Sequence, residues 1–136
     1  MTDINAAISA AASGMRAQTI RMRIAAENVA NANSAGANPN EDPFRRRIPL
    51  LETTTLASGA RGVNVRGAAF DMSAFREDYN PSHPAADERG YVQLPNVDTL
   101  VEMMDMREAT RAYEANLNMV EAARTMTTRA LDLLRR

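Results

Sequence analysis

The stretch EATRAYEANLNMVEAARTMTTRALDLL, residues 108–134, decides how this chain folds. Thr110, Tyr113, Leu117, Val120, Thr127, Leu131 and Leu134 recur through it at helical spacing, and Met103 and Met106 extend the stripe upstream. Residues three and four apart share one face of a helix, so the pattern predicts a single helix over about 98–134. Met104, Ala109 and Ala123 widen the stripe. No proline or glycine occurs from residue 98 to residue 136, and Arg135–Arg136 place cations where a helix dipole favours them. Asp98 or Thr99 can cap the start, and Thr99 with Glu102 fits a capping box.

The same period opens the chain. Ile4, Ile8, Ala11, Met15, Gln18, Met22, Ala25 and Val29 are spaced alternately four and three, a heptad seam broken only by Gln18. A helix from Ile4 to about Ala32 is a rod of roughly 43 Å. Arg16, Arg23 and Glu27 form a solvated face, and Gly14 lets another backbone approach closely. Near its end, AAENVANAN (residues 25–33) carries asparagines at 28, 31 and 33, although asparagine is a poor helix former. Val29 lies in the seam, Asn28 flanks it, and Asn31 and Asn33 point toward other neighbours. Their amides both donate and accept, so they are expected to bond to partner chains across a tight interface and fix its register. Asn33, with Gly36 close behind, is expected to end the helix in the left-handed conformation.

Between the helices, residues 34–97 hold all six prolines and five of the six glycines. NSAGANPNEDP (33–43) and NPSHPAADERG (80–90) read as loops. Short strands are expected at Phe44–Thr54, Gly62–Phe70, Ala74–Tyr79 and Gly90–Leu94, with Pro49 confining the first to a sheet edge or a bulge. The expected fold class is mainly α: residues 1–33 and 98–136 form one discontinuous helical unit, and 34–97 a β-rich or extended insertion. One amphipathic helix cannot hide its seam alone, so the two terminal helices are expected to pair as a coiled coil. Pairing covers one side of each and leaves apolar surface for neighbouring copies, which favours an assembling protein.

Composition excludes several function classes. At 136 residues the chain suits one modest core, and with 4% aromatics and no tryptophan that core rests on aliphatics, methionine and alanine. A net charge of −1 provides no field to attract nucleic acid. The sixteen basic residues are all arginine, and there is no cysteine for disulfides or thiolate metal sites. The N-terminus lacks a basic leader followed by an apolar run, so it does not read as a cleavable secretory signal. His83 stands alone between Ser82 and Pro84; a Ser-His-Asp constellation is less economical than an exposed loop histidine. Glu77–Asp78 and Asp87–Glu88 are paired acids, but adjacency in a loop suits solvation better than glycoside chemistry. GARG (59–62) and GVNVRG (62–67) lack both phosphate-loop patterns. Arg45–Arg46–Arg47 can grip phosphate, yet Glu41, Asp42 and Glu52 nearby favour a strand-face ion-pair cluster. The methionine stripe suits a helix seam more than a promiscuous groove. No catalytic, cofactor-binding or metal site, and no small-molecule substrate, is indicated.

AAENVANANSAG (25–36) resembles the N-terminal motif of the flagellar rod, hook and hook-filament junction family through Ala26, Asn28, Val29, Ala30, Asn31, Ser34 and Gly36. The 108–134 stretch is similar to that family's other end, where Arg111, Tyr113, Ala115 and Asn116 match an Arg-x-Tyr-x-Ala-Asn core. RGYVQLPNVD (89–98) is similar to a Gly-Tyr-Val-x-x-Pro-Asn-Val segment of its short proximal-rod subgroup. Glu27 departs from the family pattern, and residues 38–89 match only loosely. The resemblance implies a structural subunit of the bacterial flagellar basal body, exported by the flagellar type III apparatus without a cleaved signal peptide. It implies a periplasmic rod in which terminal helices stack into a helical tube with other copies and other rod proteins. It further implies contact with the basal-body membrane (MS) ring and its rod adaptor, and torque transmission from motor ring to hook. On that basis the expected interface in the first helix is Ile4, Ile8, Met15, Met22, Asn28, Val29 and Asn31. In the second it is Met106, Tyr113, Asn116, Leu117, Val120, Leu131 and Leu134. Two other classes compete: a cytosolic coiled-coil adaptor or secretion chaperone, and a small hydrolase using His83.

Overall fold

A computed structural model describes residues 2–136; Met1, the first residue of the expected 1–33 segment, lies outside the described residues. The order is α1 (Thr2–Ala30), β1 (Arg47–Thr55), β2 (Arg61–Phe70), β3 (Arg76–Tyr79), β4 (Tyr91–Leu94) and α2 (Thr99–Leu134). β1 and β2 form one two-stranded antiparallel sheet, and β3 and β4 another. The middle of the chain is therefore two hairpins. Pro49 sits opposite Ala68 in the first hairpin, beside a register shift between Leu50 and Leu51 that leaves Arg66 without a partner. The proline thus falls next to a bulge, where its missing N–H costs least.

The helices run antiparallel and very close. Buried positions on α1 include Ala11, Ser13, Ala17, Ile24, Ala25 and Asn28, and those on α2 are Glu102, Ala109 and Ala123. Alanine dominates both lists, which allows the backbones to approach. At Gly14 an added Cβ would stand 2.7 Å from Nδ2 of Asn116, so the close neighbour there is a side-chain amide rather than a backbone. Further along, the Thr110 hydroxyl lies 3.4 Å from the Met22 sulfur.

This packing corrects the seam expected on α2. The residues turned toward α1 and the hairpins are Glu102, Met106, Ala109, Ala112, Tyr113, Asn116, Val120, Ala123 and Thr127. Met103, Thr110, Leu117, Leu131 and Leu134 of the expected stripe are exposed. The intramolecular seam is rotated by about one residue toward the smaller side chains. Two causes act together: small residues permit a short interaxial distance, and Glu102 must face inward to meet Arg46.

The helix ends also differ in detail. Asp98 is the N-cap of α2, its carboxylate accepting from the Leu100 and Val101 amides at 3.0 and 3.5 Å. The Thr99–Glu102 capping box does not form: Asp98 takes the N-cap position, which puts Thr99 inside the helix, and the Glu102 carboxylate bonds Arg46. Asn33 is not left-handed, since no residue other than glycine has a positive φ among the described residues. Instead α1 closes through a tight turn, with Ala32 N–H donating to Val29 and Ser34 N–H to Asn31.

Replacing Ala109, which is fully buried, with leucine is expected to destabilise the monomer by about 1–3 kcal/mol through overpacking. Leu133→Ala, on the exposed side, is expected to stay within about 0.5 kcal/mol. Urea denaturation of the two variants checks the contrast.

Candidate assembly surface

The surface has two parts, a clasp that fixes the hairpins to the helices and the helix faces left uncovered. The clasp begins at Asn28. Its side chain is buried, donates to the Arg47 carbonyl at 2.8 Å and accepts from the Arg47 N–H at 3.0 Å. Both halves of the amide thus bind the first residue of β1 in the same chain, where the sequence reading expected a partner chain. Asn31 likewise turns inward on itself, donating to the Glu27 carbonyl and accepting from the Ser34 hydroxyl.

The next residue along is the hub. Arg46 hydrogen-bonds the buried carboxylate of Glu102 and reaches Asp71 at 3.4 Å and Asp105 at 3.7 Å. Burial alone would lower the Arg46 pKa, but Glu102 and then Asp71 carry it above its ordinary value. Arg47 pairs with Glu27 at 3.0 Å, and Arg45 lies over the Phe75 ring at 4.1 Å. All three arginines are occupied: Arg46 and Arg47 by acids other than the expected Glu41, Asp42 and Glu52, and Arg45 by the Phe75 ring and the Asp71 and Ser73 carbonyls. Of the expected acids, Glu52 meets Arg66 at 4.0 Å. An arginine bound bidentately or wedged into a network is not free to grip phosphate.

The GYVQLPNV segment is the second anchor. Gly90 has φ of +85°, and an added Cβ would also stand 2.9 Å from the Tyr79 ring. Val92, Pro95 and Val97 are buried. The Asn96 side chain accepts from Arg46 N–H at 2.8 Å and donates to the Asp71 carbonyl at 2.9 Å. Arg76 of β3 bonds the carbonyls of Pro95 and Ala32, tying the second hairpin to the end of α1. The first hairpin lies along α1, where Ser13 accepts from Val63 N–H and Ser9 meets Ser58 at 2.6 Å.

Outside this clasp, α2 is largely uncovered. Leu117 is 37% exposed, Leu131 50% and Leu134 83%, and all residues from Thr128 to Arg136 are exposed. The other expected interface residues are half-buried: Ile4, Ile8, Met15, Met22, Val29 and Asn31 on α1, and Met106, Tyr113, Asn116 and Val120 on α2. Val29 and Met106 come together with Met103, Thr110, Arg107 and Arg111 in an open groove of about 740 Å³. Sequence reasoning missed Ala112 and Arg76, and although it named Arg46 in an ion-pair cluster and Asn96 in the 89–98 segment, it did not find their partners. Periodicity weighs size, and so passes over alanines and over polar groups whose partners lie far along the chain.

His83 Nδ1 accepts from the Ala85 amide inside its own turn, while the Ser82 hydroxyl donates to Asn80. Among the described residues no three metal-ligating side chains come together. No helix among them is long and apolar enough to cross a membrane.

A clasped insertion on a helical pair with exposed apolar flanks, and no catalytic or metal constellation among the described residues, is the architecture of a structural subunit. The description "Flagellar basal body rod FlgEFG protein C-terminal" matches residues 88–133, from the second anchor through α2. The chain is 41% identical to "Flagellar basal-body rod protein FlgC" of Agrobacterium fabrum over 136 residues, covering 99% of this chain and 98% of that one. It is 44% identical to the protein of the same name from Aquifex aeolicus, over 86% and 87% of the two chains. The Bacillus subtilis protein is 34% identical over 93% and 95%. The chain belongs to the flagellar basal-body rod protein family. It is a structural subunit of the basal-body rod and not an enzyme.

Replacing Asn28 with alanine leaves the Arg47 N–H and carbonyl without partners at a buried site, an expected cost of roughly 1–3 kcal/mol in monomer stability. Asn31→Ala, which removes bonds made within one helix end, is expected to cost less, and denaturant midpoints compare the two. A second expectation concerns acid. Asp71 is held below its ordinary 3.8, first by the Ser73 backbone amide, then by the Ser73 hydroxyl and Arg46. A carboxylate depressed in the folded state stabilises above its unfolded pKa and loses that contribution as pH falls through the folded value. Stability should therefore drop below about pH 3.8, and Asp71→Asn should flatten that slope in pH-dependent urea melts.

Proposed function

We propose that the two terminal helices, residues 1–33 with 98–136, are the unit through which copies stack into a helical tube, and that residues 34–97 are an insertion carried on it. In this reading Ile4, Ile8, Met15, Met22 and Val29 of α1 act with Met106, Tyr113, Leu117, Val120, Leu131 and Leu134 of α2 as the assembly interface. The rod so formed links the membrane (MS) ring, through its rod adaptor, to the hook and transmits torque. The subunit reaches its place through the flagellar type III export apparatus without a cleaved signal. The observation that carries the reading is the bare face of α2. Leu117, Leu131 and Leu134 stay exposed although the helix is already paired, and a helix apolar on several sides is normally buried on them.

The test is recovery with detergent-extracted hook–basal bodies. Leu131→Asp is expected to abolish recovery while export into the medium or periplasm continues, because the change injures an assembled face and not an extended passenger. Normal recovery of the variant would refute the assigned interface. Export through a narrow channel also favours a loosely ordered free subunit, and isolated helices are marginal in water. A monomer with a marginally stable helical pair opens often, so backbone amides of α1 and α2 are expected to exchange much faster in the dilute monomer than in the rod. Slow exchange in a verified monomer would rule out ordering on assembly.

A further inference from the structure

Resting on that reading, we infer which surfaces of two copies meet. The outer ridge of α2 (Met103, Thr110 and Leu117) docks on the outward face of α1 from a second copy. The ridge is the exposed flank of α2, meeting α1 at Thr110 and Met22, and Met103 and Thr110 form one wall of the open groove beside Val29. Two acids edge it, Glu114 and Glu121, seven residues apart and both exposed. They make no ion pair within the chain among the described residues.

The complementary surface is on the same molecule. Arg16, Thr19, Arg23, Ala26 and Ala30 follow one another at steps of three and four along the exposed side of α1. Its two arginines are also seven residues apart. Arg16 has no acidic partner among the described residues, and Arg23 has only an exposed contact with Glu27 at 3.9 Å. The side chains between and beside them are small, so a leucine knob can enter. Set antiparallel, as α1 and α2 already are within one chain, Arg16 falls opposite Glu121 and Arg23 opposite Glu114. Leu117 then lies against Thr19, while Arg107 and Arg111 face Ala30 and Ala26, clear of the other arginines.

Matched heptad charges flanking an apolar ridge choose partner and orientation, as flanking positions do in coiled coils. The proposed contact uses one face from each copy, so it is heterologous and leaves each copy with one face of each kind free. Such a contact propagates until it closes a ring or grows an open helix.

Charge reversal tests the pairing in cells whose only source of this subunit is the variant, read as the amount recovered in hook–basal bodies. R16E/R23E and E114R/E121R are each expected to lower recovery by about tenfold or more, since they set like charges opposite one another. The chain carrying all four changes is expected to recover to near the unmodified level. Wild-type recovery of either pair, or a fourfold variant no better than the pairs, overturns the inference. Should a reversal pair lose its helical circular dichroism, R16Q/R23Q replaces it, and unchanged recovery of that variant overturns the inference equally. Failure of the unmodified chain to appear in basal bodies would instead strike at the broader reading. Normal assembly of the reversals alongside failure of Leu131→Asp would strike only at this contact.

Discussion

The close approach of α1 and α2 governs the rest of this molecule. Gly14 lies against Asn116, and Ala11, Ala17, Ala25, Ala109 and Ala123 are buried where thicker side chains would hold the helices apart. A seam of alanines buries little area per residue, so it stabilises weakly at about 25 cal/mol per Å². It also leaves the larger apolar residues nowhere to go but outward. Exposed Met103, Leu117, Leu131 and Leu134 are thus a consequence of how the pair packs.

A second constraint is rotational. Two smooth alanine faces could slide or turn against each other, since little in their shape selects one arrangement. Polar groups supply the selection. Glu102 can face inward only where Arg46 meets it, and Asn28 only where the Arg47 backbone does. Removing one member of such a buried pair is costly, whereas the intact pair adds little net stability. Their role here is to fix which face of α2 is spent inside the chain, and therefore which face remains for others. Asn96, bonded to Arg46 and to the Asp71 carbonyl, extends the same constraint to the second hairpin.

Much of this architecture was legible in the sequence. The 3-4 periodicity located both helices to within a few residues, and the proline and glycine content marked off the middle with four strands close to their observed places. What periodicity could not give was the rotation of α2. It weights bulk and so ranks Met103 and Leu117 above Ala109 and Ala112, but the partner face on α1 is small and accepts the small side. The asparagines were misdirected for a related reason. Asn28 does satisfy a backbone across a tight contact, but the strand it meets begins nineteen residues later in the same chain. The capping box at Thr99 and Glu102 failed because Asp98 takes the N-cap position and a long-range partner, Arg46, takes the Glu102 carboxylate. Local motifs are read correctly only when no distant group competes for the same atoms.

The polar clasp and the apolar ridge therefore bear on one question, how a subunit can be weakly self-satisfied yet specific in assembly. A chain with its large apolar residues inside would be stable alone and have nothing to offer a neighbour. A chain with the same residues outside but no polar constraint would offer several faces at once and aggregate. Here the clasp fixes one face, and the acids at Glu114 and Glu121 beside Leu117 bias what can settle on it. The proposed partner, Arg16 and Arg23, lies on the exposed side of α1. When a contact uses the ridge of one copy and the arginine face of the next, each copy keeps one face of each kind free. A contact of that proposed kind repeats from copy to copy, closing a ring if the rotation between copies closes and growing a helix if it does not.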